Sequence, residues 1–488
     1  MGLQIMKKTI FSKNITSLIL LFLMVLLNIW LSLVYSTTIP RPQYDSEQYF
    51  VMAYNMAKYG VSSVSTEDDS GVKPDSFREP VPSFILSIPL RAMDLNQHKL
   101  SCFIGEKTVC AELLKKVGMV NIVIVALIII SLYIAIYFVT SSHLWAIAAA
   151  TLGATSSIMP SLTRVFTSEL TAALFLLWHS ILLYCMFNTR YRYISAIGSG
   201  VFLALLILSK AIYLYWGLCL IVALSMAMFM NGRLRSLEKI LLILALVIPA
   251  TSGVGAWMAR NFEQFGTINV ADRSISVLAI RAGYTTISWK QYFSGYLYFT
   301  PYIGFDFARQ VDDDLAGKTF DDNGAAGPGR QIEAGLPTTL NSSYDEQLLE
   351  IVGLMIKNWD KQLALVPLMI YRGMFIGGCC SNPGSDVPIY WATQKVWKWI
   401  WPVQVFLTLL LVPAMLWLSV RVARKRNWVF LAFCGPVLFH FMIYGFATQF
   451  LARYSLVVYP ALITIFFLLL HSLFDNESSR LSSANEAS

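Results

Sequence analysis

The chain has 488 residues, of which 56% are hydrophobic and only 14% charged, with a formal net charge of +8. A soluble domain carries roughly 25% charged residues, so this composition excludes a globular protein bathed in water. The basic excess invites a nucleic-acid reading, and its distribution along the chain argues against one.

Apolar runs of about 18 or more residues read as membrane-spanning helices. Ten are present, near 15–36, 117–139, 143–159, 167–187, 193–209, 211–231, 239–258, 397–420, 428–446 and 455–474. The third and fifth are short enough to be tilted or partly re-entrant. The first follows Lys7, Lys8 and Lys13 but ends in "VYSTTIPRP" without a small-x-small cleavage site, so a retained helix is expected rather than a cleaved signal. The fold class is therefore all-α and polytopic, with about ten and at most thirteen spanning helices. Residues 1–474 form a single transmembrane domain, and the polar tail 475–488 lacks apolar periodicity and is expected to be disordered and cytoplasmic.

Two long connections, about 37–116 and 259–396, interrupt the apolar runs. Basic residues gather in the short connections opposite them: Lys7, Lys8, Lys13, Arg190, Arg192, Arg233, Arg235, Lys239 and the "RVARKR" stretch of residues 421–426. Positive charge stays inside, which places the termini in the cytoplasm and both long loops outside. The excess thus orients the protein; nucleic acid is not an expected partner.

In the first loop, "EQYFVMAYNMAKYG" repeats apolar positions at helical spacing and stops at Gly60, predicting a helix at the membrane interface. "VPSFILSIPLRAM" predicts a second. Cys102 and Cys110 close a short span in which a disulfide is possible. Cys185, Cys219 and Cys434 fall in apolar runs and read as core; the adjacent Cys379 and Cys380 carry no assignment. In the second loop, "QVDDDLAGKTFDDNGAAGPGRQ" fails the calcium-loop spacing and reads as solvated. "YDEQLLEIVGLMIKNWDKQLALVPLMIYRGMFIGG" is amphipathic, interrupted by Pro367, and expected along or dipping into the membrane surface.

Ionisable groups at membrane depth are costly and each needs a reason. Asp45 and Glu47 stand shortly after the first helix, Arg78 and Glu79 precede two prolines, and Glu169 opens the fourth helix at its outer end. Lys210, Arg260, Arg372 and Arg453 meet the same face. Taken singly, each has a structural reading: Asp45 as the N-cap of the loop helix, Glu169 in a first turn capped by Thr167 or Ser168, Arg78–Glu79 as an exposed pair of little energetic value, and the cations as snorkelling side chains. Their convergence on one face favours a site, with the cations suited to a lipid phosphate. His179 and His440, inside apolar helices, read as packed or hydrogen-bonded.

The order "YDSEQY…YNMAKYGVSS…FREPVPSFIL", with "GSGVFLALLILSKAI", "WMARNFEQFGTINVADRSISVLAIRAGY" and "ARYSLVVYP", resembles membrane glycosyltransferases of the GT-C type. The likeness is to their protein-mannosyltransferase and aminoarabinose-transferase branch. It implies a polyprenyl-phosphate sugar as donor, and a glycolipid, glycan or protein hydroxyl as acceptor. It implies Asp45 as catalytic base or acceptor-orienting acid, Glu169 as a second acid, and Arg78 and Glu79 as the charged pair before proline. Glu47 has no counterpart, and with Tyr49 it is expected to touch substrate, as are Lys210, Arg260, Arg372 and Arg453. Some such enzymes use a divalent metal; beyond Asp45, Glu47 and Glu169 no ligand set presents itself, and the metal stays open. The chemistry itself needs a carboxylate to take the acceptor proton and cations to stabilise the leaving phosphate. A flippase or transporter is the main alternative and should show internal repeats and mid-membrane charges, which are absent here. A glycan polymerase or ligase is the other, and should lack an acid directly after the first helix. A bacterial inner membrane, with the site facing outward, is the expected location.

Overall fold

The computed structural model describes residues 2–36, 42, 45–67, 71–104, 110–156, 158–230, 235–272, 274–299, 344–374, 430–447 and 452–485. Every regular element among them is helical. Five helices are long and apolar enough to cross a membrane by length and composition: Ile15–Val34, Ala111–Thr140, Glu169–Asn188, Arg192–Ser209 and Ser236–Phe265. Shorter apolar helices cover Tyr213–Met226, Leu431–Ala447 and Tyr459–Phe474. The chain is a polytopic, all-helical membrane protein. The expected span at 397–420, the Asp/Gly stretch, the "RVARKR" run, Cys379 and Cys380 lie outside the described residues.

Several bounds differ from the sequence expectation. The run at 143–159 is split: one helix covers His143–Thr155 and a short turn covers Ile158–Leu162. The helix expected over 239–258 extends over Ser236–Phe265 and ends at Gly266, whose φ of +72° suits a residue without a Cβ. Arg260 is therefore inside that helix rather than after it. The last helix runs from Tyr459 to Asn485, past the point where the polar tail begins; a helix already nucleated by its apolar half needs only one hydrogen bond per added residue to continue.

The Glu169–Asn188 helix is the centre of the bundle, buried on most of its surface. It packs against Arg192–Ser209, Ala111–Thr140 and the 3₁₀ turn Ala452–Val457. Several polar side chains inside the bundle bond to neighbouring segments, which lowers their cost in lipid. Asn28 donates to the Ala154 carbonyl at 3.2 Å, and Asn121 to that of Val165 at 3.0 Å. His179 is fully buried, with Ser199 Oγ at 2.9 Å from Nδ1 and Trp216 Nε1 donating to Nε2 at 3.3 Å. His440 faces the Tyr213 hydroxyl at 2.8 Å. Cys185 and Cys434 are buried, whereas Cys219 is exposed on the outer flank of its helix, contrary to its reading as core.

The first long connection builds a small core of its own. Its Asp45–Lys58 helix buries every residue from Tyr49 to Asn55, more than one face at an interface would. The cause is three-sided packing against Leu86 and Leu90 of the Pro80–Arg91 helix, Phe103 and Phe166. A disulfide joins Cys102 to Cys110 at the edge of this core. Among the hydrogen bonds that tie this core to the bundle, the Phe166 amide donates to Ser46 Oγ at 2.9 Å. It docks the start of the Asp45 helix onto the segment that leads into Glu169.

In the second connection, the amphipathic stretch forms two helices, Tyr344–Lys357 and Trp359–Met374, separated at Asn358. Pro367 does not interrupt it; a proline costs one backbone bond inside a helix, and packing holds this one. Leu365, Leu368 and Met369 join the main core, so the later part of the second helix is embedded among the others, while its start leaves Trp359 and Leu363 exposed.

Candidate active site

Where the Asp45–Lys58 helix, the helix beginning at Glu169, the Lys210 turn and the Ala452–Val457 turn meet, they enclose a cavity of about 440 Å³. Asp45, Tyr49, Arg78, Glu79, Glu169 and Lys210 line it, with Thr167, Ser168, Tyr444 and Tyr454. Ile212, Leu214, Met258, Val277 and Ile443 supply an apolar wall. A mostly apolar concavity with a few convergent polar groups is the usual form of a ligand site.

Asp45 opens its helix, and its carboxylate is engaged by two guanidinium groups. Oδ1 receives Arg78 Nη2 at 2.5 Å and Oδ2 receives Arg453 Nη2. Arg78 is 5% exposed and also donates from Nε to Gln48 Oε1 at 2.8 Å, with its guanidinium 5.0 Å from the Tyr49 ring centroid. Burial works against its charge, yet Tyr49, Asp45 and Glu79 hold its pKa above the ordinary guanidinium value. The reading of Arg78 and Glu79 as an exposed pair is thus replaced: Arg78 serves Asp45, and Glu79 serves other donors. The Tyr49 hydroxyl donates to Glu79 Oε2 at 2.6 Å and the Ala211 amide to Oε1 at 3.2 Å. Burial, and then the Glu79 charge, push the Tyr49 phenol well above its ordinary pKa, so it stays a donor.

Glu169 is 3% exposed. Ser168 makes no side-chain cap there. The carboxylate instead takes Lys210 Nζ at 3.1 Å, with Arg453 Nε at 3.9 Å from the same oxygen. Lys210 Nζ stands 4.6 Å above the Tyr454 ring centroid and the Arg453 guanidinium 5.5 Å above it. Arg453 thereby bridges the two acids, Asp45 and Glu169. Three carboxylates (Asp45, Glu79, Glu169) face three cations (Arg78, Lys210, Arg453), so the cluster is formally neutral.

The remaining expected residues stand elsewhere. Glu47 is half-buried and does not line the cavity. Arg260 donates to the Asp75 carbonyl at 3.0 Å and stacks on Trp257 at 4.7 Å, tying the first connection to its helix. Arg372 is buried over the Phe299 ring at 4.4 Å. Tyr444, Tyr454 and the 268–271 segment also line the site; Tyr454 and 268–271 lie in stretches that carry the resemblance without marking them as site residues, and tyrosines at helix ends read from sequence only as interface anchors.

Both oxygens of Asp45 meet guanidinium groups and Glu169 Oε1 meets Lys210, whereas the buried Glu169 Oε2 has no hydrogen-bond partner. Among the described residues, the one grouping with ligand spacing is His98 with Cys102 and Cys110, and there the two sulfurs are bonded to each other.

No family model and no curated protein matches the chain. Two solved structures from Archaeoglobus fulgidus are similar to it in shape, both at 13% identity. One is an oligosaccharyltransferase in complex with Zn and sulfate, with a TM-score of 0.48, covering 96% of this chain and 51% of the other. The second is the oligosaccharyltransferase AglB with an inhibitory peptide and a dolichol-phosphate, with a TM-score of 0.49 and coverage of 97% and 52%. The chain spans about half the length of these proteins. At that distance the function rests on the site.

Proposed function

We propose that the protein is a glycosyltransferase that moves a sugar from a polyprenyl-phosphate donor to an acceptor hydroxyl. The observation that supports this most directly is Asp45 held between Arg78 and Arg453 at a cavity with one apolar wall. The pairing of a carboxylate with a cluster of cations provides for both ends of the reaction. The acceptor oxygen attacks the anomeric carbon as its proton passes to Asp45. The bond from that carbon to the phosphate oxygen breaks, and its electron pair leaves with the lipid phosphate. Arg453, Arg78 and Lys210 stabilise that developing charge. A carboxylate engaged by two guanidiniums is a weak base. The entering phosphate competes for Arg453, the more exposed of the two partners, and thereby returns basicity to Asp45 when the donor is in place. Glu169 holds Lys210 in position. The acceptor is a glycolipid, a glycan or a protein hydroxyl, and the apolar wall takes the first isoprene units. We place the reaction on the extracytoplasmic side of a bacterial inner membrane, on the distribution of Lys and Arg.

The experiment is transfer of a radiolabelled sugar from polyprenyl phosphate in membranes, comparing wild type with Asp45→Asn at equal expression. The expected loss is about 10²–10⁴-fold, the usual contribution of a general base. Transfer by an Asp45→Asn chain at the wild-type rate removes Asp45 as the base. Failure of the wild type across a panel of donors and acceptors removes the enzyme reading in favour of a lipid-linked sugar transporter.

A further inference from the structure

The helices Tyr344–Lys357 and Trp359–Met374 leave an apolar stripe with no protein partner among the described residues. Leu349 is 71% exposed, Ile356 67%, Trp359 64% and Leu363 50%, with Val352 between them at 37%. The spacing of these five residues keeps them on one side of consecutive helical turns. The opposite side of the first helix is occupied. Ile351, 1% exposed, packs on Ala279 and Ala282, with Leu278, Leu354 and Met355 around it. The charged residues Glu350, Lys357 and Asp360 are exposed off the stripe.

We infer that this stripe is seated in the outer interface of the bilayer, with lipid as its partner. Three observations point there. The second helix of the pair is joined to another helix with exposed apolar residues: Gln362 Nε2 donates to the Phe446 carbonyl at 2.7 Å, at the end of the apolar helix Gly435–Ala447. Met442 and Phe446 on that helix are themselves exposed, at 48% and 37%. The residue types, a tryptophan and aliphatics flanked by both signs of charge, are those of an interfacial helix. A contiguous apolar face of this size is also unfavourable in water. The next helix repeats the pattern. Trp289 and Phe293, 47% and 64% exposed, share a face of Trp289–Tyr298. That helix is tied to the second helix of the pair by Lys361, which donates to the Ile287 carbonyl at 2.7 Å.

The placement has a functional side. Leu278 packs under the stripe helix and, with Val277, also lines the cavity. A single helix, Ser274–Tyr284, thus separates the lipid contact from the cavity wall.

The test uses the full chain in nanodiscs of phosphatidylethanolamine and phosphatidylglycerol with tritiated acyl chains. The photoreactive residue p-benzoylphenylalanine is incorporated in place of Ile356. Glu350 is the comparison position off the stripe, and Val222, 61% exposed on an apolar helix, the comparison within the bilayer. Leu363 serves as a second stripe position should the chain altered at Ile356 fail to fold. The expected result is tritium on the protein from the stripe at a level near that from Val222 and several-fold above that from Glu350. Labelling at the stripe no higher than at Glu350, while Val222 labels, overturns the inference. An adduct of doubled protein mass from the stripe also overturns it, by assigning the face to a second copy of the chain.

Discussion

Replacing Lys210 by methionine asks whether the Lys210–Glu169 pair is a closed, buried unit. The two side chains are 9% and 4% exposed and their charged atoms 3.1 Å apart. Solvent therefore cannot take over when one partner is lost. Removing one member of a buried pair costs about 3–5 kcal/mol, because the other charge is left uncompensated. Arg453, 3.9 Å from the same Glu169 oxygen, supplies partial compensation and moves the expectation to the lower end, about 3 kcal/mol. Exchanging both partners for apolar residues, Lys210→Met with Glu169→Leu, removes the uncompensated charge, and such replacements are often neutral or better. The assay is chemical unfolding in detergent, followed by the reaction of the buried Cys185 and Cys434 thiols with a maleimide that fluoresces on reaction. The expected pattern is a destabilised single variant and a double variant close to wild type. A single variant as stable as wild type refutes the reasoning, and so does a double variant showing the full sum of the two single losses.

The neighbouring groups give further expectations. Tyr49→Phe removes the donor 2.6 Å from Glu79 and is expected to cost about 1.5–3 kcal/mol, the range for a hydrogen bond to a charged group, measured by the same unfolding assay. Because the folded-state pKa of Tyr49 is raised, its contribution is complete below the ordinary phenol value of about 10. It is lost as pH rises through the folded value, and an alkaline absorbance titration of Tyr49→Phe should show one fewer late-ionising tyrosine than wild type. Gly200→Ala places a Cβ against the carbonyl oxygen of Leu246, forcing the helices Arg192–Ser209 and Ser236–Phe265 apart. The expected loss is about 1–3 kcal/mol or more, whereas Gly255→Ala, with nothing within 4 Å, should be neutral or mildly stabilising on helix propensity.

The spanning helices are legible in the sequence because their signal is local: a continuous apolar run has one economical fate in a bilayer. The helices of the first connection are legible for the same reason, since Tyr49, Met52, Ala53 and Met56 repeat at helical spacing. Their burial is not, because it depends on Phe103 and Phe166, which come from separate parts of the chain. Pro367 reads as a break because proline marks a helix end more often than an interior, and only tertiary packing distinguishes the two. For the site, topology assigns the acids and cations to one membrane face. Which acid meets which cation is beyond its reach, since Asp45 and Arg453 are related by no periodicity. Arg260 and Arg372 belong to the same face by that logic, and each is instead engaged at a distance from the cavity by Asp75 and by Phe299. Tyr444 carries no signal that separates it from the other aromatic residues at helix ends.

The contact between Asp45 and Arg453 spans 408 residues of chain. At about 5–20 residues per second, the ribosome takes roughly 20–80 s to deliver the second partner after the first. During that interval Asp45 and Glu169 both lack Arg453. A newly inserted chain therefore carries the acids of the cavity before the cation that bridges them. On the function proposed above, donor lipid meets a complete site only after the Ala452–Val457 turn has been made.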